Sequence, residues 1–183
     1  MKKWLIPLGI LVVLAVMILS GYNGLVQINE DVNGKWSQVE NQLQRRADLI
    51  PNLVETVKAY AAHETEVFTA LADARAALAG AGTVSETEEA NQAMNAGLGR
   101  LIAIAEAYPE LKSNVNFMAL QDELAGTENR IATARMDYNV VVQTYNTKVK
   151  SLPTALYARI LGFDEKEYFE SEDGAENGVD VDF

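Results

Sequence analysis

The sequence predicts an all-α protein in which an N-terminal transmembrane helix precedes an antiparallel, up-and-down helical bundle of three to four long helices. An uncharged run covers residues 4–22, apolar residues then recur at alternating steps of three and four, and no strand-like alternation appears. We expect three parts: a transmembrane anchor at 1–22, the helical bundle at 23–162, and an acidic, disordered tail at 163–183.

The anchor is predicted from the length of the uncharged run. Its 19 residues would form a helix of about 28 Å, close to the ~30 Å hydrocarbon core of a bilayer. Trp4 and Tyr22 lie at its two ends, where aromatic side chains favour the membrane interface. A cleaved signal peptide is the alternative, but residues 18–21 match a cleavage site poorly. We therefore expect residues 4–22 to stay attached and to contact the lipid bilayer.

The basic residues near the anchor predict its orientation. Lys2 and Lys3 precede the uncharged run, and the next basic residue is Lys35, after Glu30 and Asp31. Under the positive-inside rule, this bias keeps the N-terminus in the cytoplasm and places the bulk domain outside.

The bundle is organised around a long amphipathic pattern over residues 28–78. Apolar positions spaced by three or four form one stripe along a helix, which must pack on other helices. The stripe consists of Val32, Trp36, Val39, Leu43, Ala47, Ile50, Leu53, Val57, Tyr60, Glu64, Val67, Leu71, Ala74 and Leu78. Pro51 lies near its middle and predicts either a short turn between two helices or a kink in a continuous one.

A second helix is predicted after the glycine-containing residues 79–82. Ser85 and Glu88 have the spacing of a capping box, which marks the start of a helix. The apolar stripe of this helix comprises Ala90, Met94, Leu98, Leu101, Ala105 and Tyr108. Pro109 is expected to end it.

The strongest pattern in the chain is a heptad repeat in the last long helix. Its seven-residue spacing is typical of a left-handed seam between packed helices. The repeat comprises Phe117, Leu124, Ile131, Tyr138, Tyr145 and Leu152, with Leu120, Thr127, Ala134 and Val141 at the alternate positions. Pro153 then allows only a short further helix over residues 154–161, closed by Gly162.

The negative charge is concentrated at the C-terminal end. Of the formal net charge of −11, residues 164–183 carry −8, from nine acidic residues and one lysine, which leaves −3 for the rest. Such a surface repels phosphate backbones, so we expect no nucleic acid among the partners. After Phe169 the tail is too charged to fold by itself.

The residue inventory argues against several kinds of catalytic site. The chain has no cysteine and a single histidine, His63. A zinc-binding H-E-x-x-H helix would need a second histidine at position 67, which is Val67, and a di-iron bundle would need two histidines. We therefore predict no catalytic, cofactor-binding or metal-binding residues, and a protein that is not an enzyme.

Several polar residues are expected to serve the packing of the bundle. Glu64 falls on the apolar stripe and needs a partner, for which Arg130 and Arg135 in the last helix are the candidates. Arg45 and Arg46 are interpreted as a solvated helix face. Hydrogen bonds between helices are expected from Asn139, Tyr145 and Asn146, which lie beside the heptad seam.

The chain resembles the LemA family over most of its length, up to about Phe169. The resemblance is carried by residues 46–54, Tyr60-Ala61, His63-Glu64, residues 74–76, 108–112, Leu120-Gln121, Glu123-Leu124, residues 127–131, Ala134-Arg135, Tyr138-Asn139, Tyr145-Asn146, Pro153 and residues 161–163. It implies a bacterial-type single-pass membrane protein with a helical bundle and implies no reaction. The family is commonly described with a short N-terminus outside, opposite to the orientation that Lys2 and Lys3 favour. The long acidic tail departs from the family pattern.

The function that these observations favour is an adaptor or scaffold of the cell envelope, with other membrane or envelope proteins as partners. A binding module that holds an apolar or lipid-like ligand in the bundle is the alternative. The small residues that could leave room for a ligand are Ala59, Ala61, Ala62, Ala70, Ala72, Ala76 and Ala77. An enzyme centred on His63 and Glu64 is the least favoured hypothesis.

Overall fold

The structure, a computed structural model, describes residues 5–169, except for the side chains of residues 5, 6 and 14. Helices α1 to α5 cover Leu5–Lys58, Thr65–Gly80, Val84–Ala107, Pro109–Lys112 and Val115–Lys150, and short 3-10 turns follow at Thr154–Leu156 and Arg159–Leu161. The described chain contains no strand, so the predicted all-α fold is confirmed. Lys2, Lys3, Trp4 and the tail after Phe169 lie outside the described residues.

Helix α1 runs through Pro51 without interruption. Of the two alternatives that the sequence left open at Pro51, a short turn between two helices is therefore excluded, and the helix is continuous. Pro51 is exposed, whereas Ile50, Leu53 and Val54 beside it are buried in the core. Packing of this apolar face therefore outweighs the local cost of a missing backbone donor.

The predicted stripe over 28–78 does not lie on one helix. Helix α1 ends at Lys58, where the backbone N–H groups of Tyr60 and Ala61 both donate to the Val57 carbonyl, and α2 starts only at Thr65. The chain reverses between them, so that Lys58 lies over the Phe68 ring at 5.5 Å. A spacing of three and four between apolar residues therefore does not require one continuous helix. After the reversal, each of the two helices still presents its own apolar face to the shared core.

The chain divides into two compact units, to which α1 and α5 both contribute. The first unit contains residues 5–41 and 133–166 among those described. Its two helices run antiparallel, because Lys35 pairs with Asp137 at 2.7 Å while Gly24, earlier in α1, lies beside the side chain of Lys148, later in α5. Trp36 packs on Tyr138 with ring centroids 5.6 Å apart. The buried seam consists of Leu25, Val32 and Val39 from α1 and Tyr138, Val142, Tyr145 and Val149 from α5. These spacings are those of a coiled coil.

The end of the first unit departs from the predicted heptad. Helix α5 ends at Lys150, and Leu152, expected in the seam, is 76% exposed. Beyond the helix the chain folds back, with Thr154, Ala158 and Phe163 buried and Gly162 in the left-handed conformation at φ 82°. The expectation for Leu152 was wrong because the backbone turns just after Lys150, which removes the next residues from the helical periodicity.

The first residues of the predicted tail pack against α5 without regular secondary structure. The Tyr145 hydroxyl donates to the Asp164 carbonyl at 2.9 Å, and the Asn146 amide both donates to the Lys166 carbonyl and accepts from its backbone N–H. Tyr145 and Asn146 thus bond to the backbone of a nonhelical segment and not to another helix, which corrects their predicted partners. Burial, with a smaller contribution from the Asp164 charge, raises the pKa of the Tyr145 phenol.

The second unit contains residues 42–132 and 167–169 among those described, and is a bundle of α1, α2, α3, α4 and the first half of α5. Consecutive helices are joined by short connections, which makes neighbours antiparallel. The core includes Leu53, Val57, Leu71, Met94, Leu98, Leu101, Leu111, Phe117 and Leu124. The stripe predicted for the second helix is confirmed at five of its six positions. Ala90, Met94, Leu98, Leu101 and Ala105 are buried, and Tyr108 is half-buried.

The capping box of α3 lies two residues before the predicted one. Thr83 accepts from the Glu86 backbone N–H at 3.1 Å, and the Glu86 carboxylate accepts from the backbone N–H of Thr83 at 3.2 Å and of Gly82 at 2.8 Å. These hydrogen bonds, that from Gly82 first, lower the pKa of Glu86. The pair Ser85 and Glu88 has the same spacing but lies inside the helix.

Candidate functional site

The residues that the sequence singled out do not form one site. His63 is exposed, and Glu64 occupies the N-cap position of α2, half-buried and without a capping hydrogen bond from its side chain. Arg130 pairs with Glu123 at 3.0 Å. The predicted pairing of Glu64 with Arg130 was therefore wrong, and its pairing with Arg135 stays a prediction. Its premise, a carboxylate on a helical stripe, fails because the turn at 59–64 removes Glu64 from any helix interior.

Arg46 is a buried cation of the bundle that pairs with a half-exposed carboxylate. Its side chain is only 6% exposed, and Nη1 lies 2.6 Å from Oε2 of Glu128 on α5. The same nitrogen approaches Oδ1 of Asn91 on α3 at 3.4 Å. Three helices thus meet around one guanidinium, which contradicts the solvated face expected for this residue.

The neighbouring Arg45 behaves as expected of a surface residue. It is exposed and holds Glu123 through Nη2 at 2.7 Å and Nε at 3.1 Å. The sequence contained a signal that separates the two arginines: position 46 continues the stride of Val39, Leu43 and Ile50, and position 45 does not.

Further polar side chains are buried on α3 and α5, the helices that supply the partners of Arg46, and we call this set, together with Arg46 and Glu128, the polar layer. Asn91 and Thr127 are almost fully inaccessible, and Thr87 is also buried. The two threonine hydroxyls donate to carbonyls of their own helices, Thr127 to Leu124 at 2.7 Å and Thr87 to Thr83 at 2.8 Å. A polar layer of this kind disfavours shifted helix registers, because every shift would leave the Arg46 charge buried without its carboxylate.

The second unit also carries an apolar groove between α1 and α2, with a volume of about 430 Å³. This groove, the α1/α2 groove, is lined by Gln44, Ala47, Ile50, Pro51, Val54, Glu55, Lys58, Phe68, Ala72, Arg75, Ala76, Leu78 and Ala79. Of the seven alanines predicted to leave room for a ligand, Ala72 and Ala76 line this groove. Ala61 is buried, Ala70 is half-buried, and Ala59, Ala62 and Ala77 are exposed, and all five lie outside the lining of the groove. Its volume falls in the range of small-molecule ligand pockets, and it is partly open to solvent.

The titratable side chains are dispersed. Within residues 5–169, no three or more histidine, cysteine, aspartate or glutamate side chains gather in a way that could hold a metal ion. The charged residues that line the α1/α2 groove are Glu55, Lys58 and Arg75. Lys58 approaches Glu55 at 3.5 Å, and Arg75 approaches Asp48 at 3.8 Å.

One described helix, α1, is long and apolar enough to cross a membrane by its length and composition. Its apolar residues from Leu8 to Leu19 are exposed, apart from residue 14, whose side chain is not described. A surface of this kind is unfavourable in water and favourable in lipid. By its length, its composition and these exposed side chains, the N-terminal part of α1 suits a membrane.

Comparison with known proteins agrees with this architecture. The profile of the LemA family matches residues 35–183. The chain is 31% identical over 188 residues to the magnetosome proteins MamQ 1 and MamQ 2 of Paramagnetospirillum magneticum, covering 88% of this chain and 69% of each relative. It is 30% identical over 195 residues to magnetosome protein MamQ of Magnetospirillum gryphiswaldense, covering 92% of this chain and 72% of the relative. A profile match over most of the chain, with relatives aligned over nearly all of it, shows that this protein belongs to the LemA family.

Proposed function

We propose that the protein is a membrane-anchored helical scaffold that presents its bundle to other proteins of the cell envelope. The observation that supports this proposal best is the continuity of α1, which leads from the exposed apolar segment into packed helices without a break. A helix of this kind transmits position and orientation from the bilayer to the residues packed on it, as a flexible linker would not.

The α1/α2 groove is the surface that we assign to a partner. Its lining is mostly apolar, and Ala72, Ala76 and Ala79 follow each other along α2 at helical spacing. Small residues in such a row allow the backbone of another helix to approach closely. Two of the three charged lining residues, Lys58 and Arg75, are cationic and suit acidic residues on that helix. The occupant that fits is therefore an amphipathic helix of another envelope protein.

We expect a photo-crosslinking amino acid at Ala76 to trap a protein partner in native membranes. Ala76 lines the α1/α2 groove, whereas Asp73 on the same helix is exposed and lies outside its lining, so a crosslinker at Asp73 is the matched control. The adducts are separated by mass and identified by mass spectrometry. A discrete protein adduct at position 76, absent at position 73, supports the scaffold.

The same experiment separates the two candidate functions. Lipid adducts at position 76 without a protein adduct would favour the alternative, a module that holds an apolar or lipid-like ligand. Equal adducts at positions 73 and 76 would contradict a specific use of the α1/α2 groove.

We place the bulk domain on the extracytoplasmic side of the membrane, because Lys2 and Lys3 precede the apolar run and no basic residue follows it before Lys35. The chain has no cysteine, so a single cysteine in place of the exposed Met136 reports its own location. A membrane-impermeant maleimide is expected to label this cysteine in intact cells as fully as in permeabilised ones. Labelling that requires permeabilisation would reverse the orientation and leave the scaffold proposal untouched.

A further inference from the structure

The segment after α5 exposes a row of large apolar side chains. Leu152, Leu156 and Ile160 are spaced by four residues and are 76%, 71% and 84% exposed. The small residues Thr154 and Ala158, also spaced by four, are the ones that face inward. The amphipathic pattern is thus inverted relative to a segment that folds in water, where the larger apolar face is buried.

Contacts within the first unit place this segment beside the end of the apolar run on α1. The Tyr157 hydroxyl occupies the space in which a side chain at Gly21 would begin. Phe163 packs edge-on against Tyr22, with ring centroids 5.7 Å apart. Leu152, Leu156 and Ile160, which we call the juxtamembrane row, therefore lie near the level where the uncharged run 4–22 ends.

The surrounding residues have the chemistry of a membrane interface. Tyr22 and Tyr157 combine an aromatic ring with a hydroxyl, as side chains at the headgroup level do. No acidic residue occurs between Asp137 and Asp164, whereas Arg159 lies within the segment itself. A long cationic side chain can keep its charge among the headgroups while its stem contacts acyl chains.

We infer that the juxtamembrane row inserts into the interface of the bilayer that α1 crosses, at the side where α1 emerges. We assign lipid as the occupant of this apolar row, because Tyr157 and Phe163 hold the segment beside the end of the exposed apolar run of α1. This second contact would fix the tilt and rotation of the first unit at the membrane, which one helix alone leaves free. The inference rests on the anchoring of α1 in the proposed function.

Single cysteines carrying the environment-sensitive dye NBD test the insertion directly. The full chain, with Leu156→Cys or Ile160→Cys, is reconstituted into vesicles of phosphatidylcholine and phosphatidylglycerol. Some of these lipids carry a spin label either near the headgroup or near the end of the acyl chain. Val16→Cys, in the apolar run, is the positive control. Val140→Cys is the negative control: it is exposed on α5, about 20 Å along the helix pair from Gly21, since Tyr138 contacts Trp36.

We expect the shallow spin label to quench the dye at 156 and 160 several-fold more than at 140, with a blue-shifted emission. At 16 the deep spin label is expected to quench more than the shallow one. If the dye is quenched at position 16, but its quenching at 156 and 160 is no greater than at 140, the inference is overturned and the membrane anchor is not affected. No quenching at 16 would overturn the anchor itself. A dye at 156 and 160 that is shielded from aqueous iodide but not quenched by either spin-labelled lipid would show that protein covers these positions. That result would also overturn the inference.

Discussion

Replacing Ile131 by alanine is expected to lower the free energy of unfolding by about 2–5 kcal/mol, the usual cost of truncating a large aliphatic side chain in a core. The Ile131 side chain is 0% exposed and lies in the heptad repeat of α5. Its removal deletes buried apolar area and leaves a cavity that rigid neighbouring helices cannot fill. Guanidinium denaturation of the full chain in detergent micelles, followed by far-ultraviolet circular dichroism, measures the change.

The same substitution at Ile102 is the matched control. Ile102 lies on α3 in the same unit and is 37% exposed, so truncation there deletes less buried contact and leaves no enclosed cavity. We expect its cost to stay under about 1 kcal/mol. Equal losses at the two positions would show that the heptad repeat does not mark the core.

The heptad repeat is the part of the fold that the sequence predicted best. Phe117, Leu124, Ile131, Tyr138 and Tyr145 are all buried, because a seven-residue period along one helix fixes which face can pack. Leu152 has the correct spacing, yet it follows the end of α5 and is exposed. A period in the sequence predicts burial only as far as the helix continues, and Pro153 indicated where it stops.

The turn at residues 59–64 could not be predicted from apolar spacing. Leu53 and Val57 precede the turn and Val67 and Leu71 follow it, all with the same stride, and all four are buried. Two antiparallel helices that share a core must each present an apolar face to it. The spacing of apolar residues along the sequence is therefore the same whether or not the chain reverses. The consequence was the wrong environment for Glu64.

The two adjacent arginines show a different limit. The period of the apolar stripe places Arg46, but not Arg45, on the face that packs in the core. Because arginine is mostly exposed in proteins, the sequence alone nevertheless predicts a surface position for both residues. Only the structure shows that Glu128 and Asn91, from two other helices, supply the oxygens that make burial of Arg46 tolerable. Partners of a buried charge lie far apart in sequence, so spacing along one helix cannot identify them.

Arg46→Ala is expected to lower the free energy of unfolding by about 2–4 kcal/mol, since it removes a buried stem and leaves the Asn91 carbonyl without its donor. Glu128→Gln is expected to lower the free energy of unfolding by less, about 1–2 kcal/mol. The Glu128 side chain is half-exposed, so water replaces part of the interaction that its carboxylate makes with Arg46. The double variant measures the coupling between the two residues, which we expect to be about 1–3 kcal/mol in the same denaturation experiment.

The adjacent pair of Arg45 and Glu123 provides the control for this cycle. It joins the same two helices at 2.7 Å, similar to the 2.6 Å of Arg46 and Glu128, but the Arg45 side chain is exposed. Exposed pairs are screened by solvent and salt, so its coupling is expected at about 0–1 kcal/mol and should fall further as salt is added. If burial, and not distance, determines what an ion pair contributes here, the coupling of Arg46 with Glu128 exceeds that of Arg45 with Glu123 and depends less on salt. Equal couplings with equal salt dependence would mean that the polar layer does not fix the helix register.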